Sequence, residues 1–323
     1  MKEYPGFSPL RINFNKGIYC LKILLLYLSV AAKHCSRHAT ALLFLCVLQL
    51  FSTTAEAAKV LIVGDIKYPF VAGVVADIQL SVRSQAKEYA VSEIRGRLGA
   101  VVEREGAEVV VALGTDAVHE ALRLPPSVAV VYGLVVVPPR SGRSNVTGVY
   151  MSPPVGEYVT TVRRYLPSLT RMSVVGSQTM LRSLLGGDYA QVTVHSVSSS
   201  SDLVTTVNRL TDAKSLLLLP DTNLLTAPVM SSVYLFSFRN NVPIFGISEA
   251  NVKQGSLFAL VFDPKAVSRQ IGEKVQTILN GRDAGELPAS SPRSYNLYVN
   301  SNTAQKMGVE IPDEMLRRAK RVY

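Results

Sequence analysis

Ala107-Glu-Val-Val-Val-Ala-Leu113, running straight into Gly114-Thr115-Asp116, is the stretch that decides the fold. A short apolar run of β-branched residues, closed by glycine and small polar residues, reads as a strand buried on both faces of a parallel sheet. A helical pattern, Asp116–Leu122, follows at once. The same order recurs upstream, where Ala58–Val63 ends in Gly64-Asp65, and a third run stands at Ser127–Tyr132. Between the first two, Ile94–Glu105 sets Ile94, Leu98, Val101 and Val102 on one helical face. Strands alternating with helices through short loops predict an open α/β sheet with right-handed crossovers.

The alternation restarts after the Pro138–Gly148 stretch, which predicts a second lobe. Val155–Leu166 reads as a helix ended by Pro167. Further runs follow at Arg171–Val175, Gln191–Ser196, Leu203–Leu210, Ser215–Leu219, Ala227–Asn240 and Pro243–Gly246. Asp263-Pro264 caps a helix whose stripe is Val267, Ile271, Val275 and Ile278, with Gly281 past its end. Pro292–Asn300 is expected as a strand. A final helix from Ile311-Pro312-Asp313 is expected to turn Met315, Leu316 and Ala319 inward and Arg317, Arg318, Lys320 and Arg321 to solvent.

The first 57 residues differ from the rest. They hold all three cysteines (Cys20, Cys35, Cys46), six of the 34 basic residues and two of the 24 acidic ones. Ala39–Phe51 is an apolar core preceded by the basic patch Lys33–His38 and followed by Ser-Thr-Thr-Ala-Glu-Ala57, the three parts of a secretory signal. Cleavage is expected before Ala58, placing the protein in the periplasm. A second apolar stretch, Gly17–Ala32, reads either as an over-long reading frame or as part of a two-part membrane tether.

Composition narrows the function. Of the net charge of +10, +4 falls in residues 1–57 and only +6 is spread over the remaining 266, without the clustered Lys and Arg that a nucleic-acid footprint needs, so no nucleic-acid partner is expected. Nucleophile elbow, phosphate loop and zinc-protease signatures are all missing from the sequence. His119 and His195 stand without a catalytic motif around either. No catalytic residue, metal or cofactor is expected, and the chain reads as a binding protein rather than an enzyme.

Polar residues at the carboxyl ends of the strands remain: Asp65, Thr115-Asp116, Ser177-Gln178, Asp221-Asn223 and Ser248-Glu249. Ligands of open α/β sheets bind outside those ends. Gly114-Thr115 at a helix start suits a carboxylate, whereas Asp221 and Glu249 suit an ammonium. Thr115, Asp221 and Ser248 read equally well as helix N-caps. With tryptophan absent, aromatic stacking falls to Tyr68, Phe70 or Tyr132.

Five motifs, Ala112–Ala117, Asn145–Val149, Leu217–Asn223, Asn241–Gly246 and Gly255–Ala259, stand in an order that resembles the periplasmic substrate-binding proteins of ABC importers. The likeness is to the group associated with aromatic amino-acid uptake, and Asn300–Gly308 with Ile311-Pro312 is similar to its C-terminal signature. The resemblance implies a type I periplasmic-binding fold, two Rossmann-like lobes joined by three crossovers around an interlobe cleft. It implies a first helix and second strand around Val74–Val91. It places Gly114, Thr115 and Asp116 on one side of the cleft and Gly176, Ser177, Asp221, Asn223 and Glu249 on the other, with Asp65 and Tyr68 completing the candidate set. The expected division is a leader at 1–57, an N-lobe of 58–145 plus about 259–287, and a C-lobe of 146–258 plus about 288–323. The implied function is capture of a small amino acid-like solute by a monomer that serves an inner-membrane ABC permease. The alternative is a periplasmic sensing or accessory partner of a signalling or outer-membrane receptor system.

Overall fold

The computed structural model describes residues 59–187 and 192–323. The leader, its three cysteines, the His34–His38 patch and the expected cleavage site lie outside them. In the first part of the chain come β1 (Val60–Gly64), α1 (Pro69–Ser81), β2 (Ala86–Ala90), α2 (Val91–Ile94), α3 (Leu98–Glu105), β3 (Val109–Leu113), α4 (Thr115–Ala121), β4 (Ala129–Val135) and β5 (Val146–Tyr150). These strands form an all-parallel sheet ordered β2-β1-β3-β4-β5. The Val109–Leu113 run is fully buried, as its composition demands. Its two faces feed separate cores, one with Val110 and Ala112 against α3 and α4, the other with Val109 and Val111 against α1. The expected helix Ile94–Glu105 is divided, because Gly96 takes a left-handed φ of 70° between α2 and α3.

The second part runs α5 (Val155–Tyr165), β6 (Met172–Gly176), α6 (Gln178–Leu184), β7 (Val192–Ser196), α7 (Ser200–Asn208), β8 (Ser215–Leu218), α8 (Ala227–Asn240), β9 (Ile244–Gly246), α9 (Glu249–Gln254), β10 (Phe258–Phe262), α10 (Pro264–Leu279), β11 (Tyr295–Val299), α11 (Ser301–Lys306), α12 (Asp313–Arg318) and β12 (Ala319–Val322). Its seven strands order as β12-β11-β10-β9-β8-β6-β7, parallel except for the antiparallel β10–β11 pair. The two parallel-dominated sheets, each covered by helices on both faces, make a two-lobe α/β fold.

The chain passes between lobes three times. The β4–β5 ladder carries the first sheet through Tyr150, beyond the boundary expected at 145. Gly148 permits that ladder, since a Cβ there would lie 2.3 Å from the Tyr132 carbonyl oxygen. After β10 the chain returns as α10, whose Asp263 cap accepts from the Lys265 N–H at 3.2 Å. Its stripe residues Val267, Ile271 and Val275 are fully buried in the first-lobe core with Val74, Val75 and Ile78 of α1. The third passage pairs with β5 through Tyr150 N to Ser290 O at 3.1 Å and Ser290 N to Gly148 O at 3.1 Å. The expected final helix is shorter than its pattern. It stops at Arg318, and Ala319, Lys320 and Arg321 lie on β12, drawn into the ladder beside β11. Among the described residues no helix is long and apolar enough to cross a membrane.

Candidate functional site

The strand-end residues collect in two cavities, one on each lobe. The first, of about 340 Å3, is lined by Asp65 after β1 and by Gly114, Thr115 and Asp116 after β3. Gly114 holds φ at 90°, a conformation costly for any residue with a side chain, so that the chain turns from β3 directly into α4. The first N–H donated inside the helix is that of Val118, to Gly114 O at 3.0 Å, which leaves the N–H groups of Thr115, Asp116 and Ala117 at the cavity edge. Two cations missed by sequence reasoning also line it. Arg95 lies 3.3 Å from Asp116 and Lys67 lies 3.3 Å from Asp65, all four side chains being well exposed. This half-site is polar and balanced in charge.

The second cavity, of about 320 Å3, sits at the carboxyl ends of β8 and β9. Its wall is mostly apolar, with Leu218, Met230, Ile244, Phe245 and Ile247, and its polar points are Asp221, Thr222, Ser248, Asn251 and Ser256. Asp221 is held from two sides. Its Oδ2 accepts from Ser177 Oγ at 2.7 Å, and its Oδ1 accepts from the Asn223 N–H at 3.1 Å. Among the described residues no lysine or arginine pairs with this carboxylate. Ser248 caps α9, so the N-cap reading holds there, whereas Thr115 follows the Gly114 cap of α4 and Ser177, not among the expected caps, caps α6. The Ser256 hydroxyl is tied to Tyr234 at 3.1 Å, and burial pushes the Tyr234 phenol up. Val136, from the segment after β4, also lines this cavity. Nearby Arg140 donates to Thr179 Oγ1 at 2.9 Å, a bond from the first lobe to the start of α6. The Pro138–Gly148 stretch, legible only as a break between lobes, thus touches the second lobe.

Four of the nine candidates line neither cavity, and of these Ser177 reaches the second only through its bond to Asp221. Tyr68 stands at the start of α1, 54% exposed, with the Lys67 ammonium 5.1 Å from its ring. Asn223 contributes its backbone N–H to Asp221 and leaves its side chain at the surface. Glu249 turns the other way, toward the sheet edge. Its carboxylate accepts from Tyr323 Oη, pairs with Arg321 at 2.8 Å and lies 3.4 Å from Lys253. The Tyr323 hydrogen bond, reinforced by Lys253 and Arg321, holds its pKa below the ordinary glutamate range. Of the aromatics, Phe70 packs edge-on against Phe262 with ring centroids 6.2 Å apart, whereas Tyr132 is 2% exposed and buried in the core. The Nε2 of His195, on β7, is buried without a partner among the described residues, and burial lowers the imidazole pKa.

Two parallel-dominated sheets, covered on both faces and with polar strand ends on each lobe, define the class: a two-lobe α/β fold. The family model for ABC transporter substrate binding proteins matches residues 127–323, and the chain belongs to that family. A tyrosine-binding protein of Clostridioides difficile strain R20291 is 20% identical over 224 residues, 63% of this chain. The match spans 64% of that relative's length. Two solved structures share the fold. The ligand-free, open form of a substrate binding protein with adhesive properties from Clostridium difficile has a TM-score of 0.59 at 15% identity, covering 82% of this chain and 99% of that one. The ABC domain in complex with L-Trp from Streptococcus pneumonia has a TM-score of 0.53 at 18% identity, with the same coverage of 82% and 99%.

Proposed function

We propose that this protein captures a small amino acid-like solute between its lobes and delivers it to an ABC permease of the inner membrane. The observation that carries the reading is Asp221, a carboxylate without a cationic partner among the described residues at the edge of an apolar cavity, shaped by Ser177 and the Asn223 N–H. Such a group recognises an ammonium, and the apolar wall beside it accepts a hydrocarbon or aromatic side chain. On the opposing lobe, Thr115 and Arg95 offer donors for a carboxylate, with Asp116 3.3 Å from Arg95. Tyr68, exposed near that cavity, supplies the aromatic surface that the absence of tryptophan leaves to tyrosine and phenylalanine. The names of the tyrosine-binding relative and of the complex with L-Trp support an aromatic amino acid as the first ligand to test.

Substrate-binding proteins of ABC importers are typically extracytoplasmic, which agrees with export by the Lys33–Ala57 signal. In this reading the protein carries no catalysis of its own and works as a monomer. The test is a thermal-shift and calorimetric screen of the twenty amino acids against the full chain. A ligand at 100 times its Kd raises stability by about 2.7 kcal/mol. Saturable binding of tyrosine or tryptophan supports the reading. A flat response across the panel sinks it.

A further inference from the structure

A third cavity, of about 390 Å3, lies against β10 and β11 between α5 and α12, and shares no lining residue with the two half-sites. Three guanidinium groups reach it, those of Arg164, Arg293 and Arg318, against one carboxylate, Glu157. Arg164 pairs with Glu314, and Arg293 pairs with Glu273 at 2.7 Å. Both pairs have roughly half or more of each side chain in water, where such bridges are weak and exchange partners readily. Arg318 differs. It pairs with no carboxylate among the described residues, and its Nη1 donates to Tyr165 Oη at 2.8 Å, which orients the planar group and leaves its remaining N–H donors for another acceptor. Hydroxyls of Thr160 and Ser294 add further donors on the same lining, whereas Thr161 Oγ1 donates to the Glu157 carbonyl at 2.8 Å.

We propose that this cavity binds a phosphate-class oxyanion. A guanidinium presents a fork of N–H groups that matches two oxygens of a tetrahedral anion, and Arg318 offers such a fork whose charge no carboxylate among the described residues takes, beside two more guanidiniums held only by exposed pairs. A zwitterionic solute fits poorly, because Leu260 and Leu297 supply only a narrow apolar surface between charged groups. A merely solvated basic face, which the sequence pattern of Arg317, Arg318, Lys320 and Arg321 predicts, does not require Arg318 to be oriented by a tyrosine over a cavity. Glu157 gives the proposal a signed consequence: removing its charge tightens binding, whereas removing Arg318 weakens it.

The experiment measures binding of inorganic phosphate to the full chain at low ionic strength by calorimetry, in parallel with sedimentation on vesicles of phosphatidic acid or of phosphatidylcholine alone. The expected result is one saturable phosphate per chain. One lost charge-assisted bond corresponds to a weakening of about 10- to 100-fold in Arg318→Gln. Glu157→Gln is expected to tighten binding, and Asp221→Asn to leave it unchanged. Should Arg318→Gln fail to fold, Arg164→Gln serves the same purpose at a surface-paired position. Phosphatidic acid vesicles that bind with the same variant pattern while free phosphate does not would assign the oxyanion to a lipid headgroup. Failure of both probes to bind overturns the proposal, as does binding by folded Arg318→Gln and Arg164→Gln as tight as that of the natural chain.

Discussion

Asp221 is the residue at which structure and function compete most directly. Its backbone carbonyl accepts from the N–H groups of Leu224 at 3.1 Å and Leu225 at 2.9 Å, while its side chain takes the Ser177 hydroxyl and the Asn223 N–H. Asp221→Asn keeps the shape and most of the turn but removes the charge. Loss of a charge-assisted bond to an ammonium predicts a fall in solute affinity of about ten- to a hundred-fold at an almost unchanged melting temperature. A residue that only shapes the turn predicts the reverse: intact affinity, and about 1 kcal/mol of stability lost in Asp221→Ala. Titration and melting of both variants separate the two. Polar residues at strand ends were legible as a set, because glycine and small polar residues stop apolar runs in a recognisable way. Their partners were not. Glu249 stands at such an end, yet the groups that take its carboxylate are Arg321 and Tyr323, more than 70 positions along the chain. Arg95 and Lys67 escaped notice for the same reason, since no local pattern announces which surface cation a folded sheet brings to a cavity.

At the scale of elements, α10 was the most legible and is the most consequential. Asp-Pro fixes its start and a stripe at every fourth residue fixes its buried face, and both survive in the structure. Helix α1 was far less legible as an element of its own. Its sequence from Pro69 to Ser81 is apolar nearly all round, without a side-chain cap, so no face stands out. The two helices depend on each other in the first-lobe core, where Ile271 and Ile78 are both 0% exposed. Ile271→Ala is expected to cost about 2–5 kcal/mol, read as a lowered urea midpoint. A change below about 1 kcal/mol would mean that the site collapses around the loss. A second clasp joins the edge strand β2 to α3. Hydrogen bonds from Lys87, then Tyr89 and Arg104, hold the Glu105 carboxyl down to about 2 from its ordinary 4.5. A carboxyl whose pKa is lower folded than unfolded stabilises the protein above its unfolded value. That contribution drains away as pH falls from 4.5 toward 2. Acid unfolding of Glu105→Gln is therefore expected to show a shallower loss of stability across that window than the natural chain, and an identical slope would show that the clasp contributes nothing.

The molecule as a whole holds its two half-sites in separate cavities, and this sets what a solute must do. A zwitterion with its ammonium at Asp221 and its carboxylate at Thr115 has to touch both lobes, so binding energy becomes available only as the cavities approach. The lobes are joined by three chain passages, and the segment carrying Val136 and Arg140 already reaches from one to the other. Closure about these passages follows if solute binding is worth more in the approached state than in the separated one. All native cysteines lie in residues 1–57, so replacing Cys20, Cys35 and Cys46 by serine leaves a chain free for labelling. Spin labels at Glu103→Cys in the first lobe and Arg239→Cys in the second then report the interlobe distance from exposed positions. Saturating solute is expected to shorten and narrow that distance distribution. Asp221→Asn at the same solute concentration should retain the open distribution, because it removes one end of the bridge. Saturable binding without any change in distance would place the solute wholly within one lobe, and the apolar cavity at β8 and β9 would then be the complete site rather than half of it.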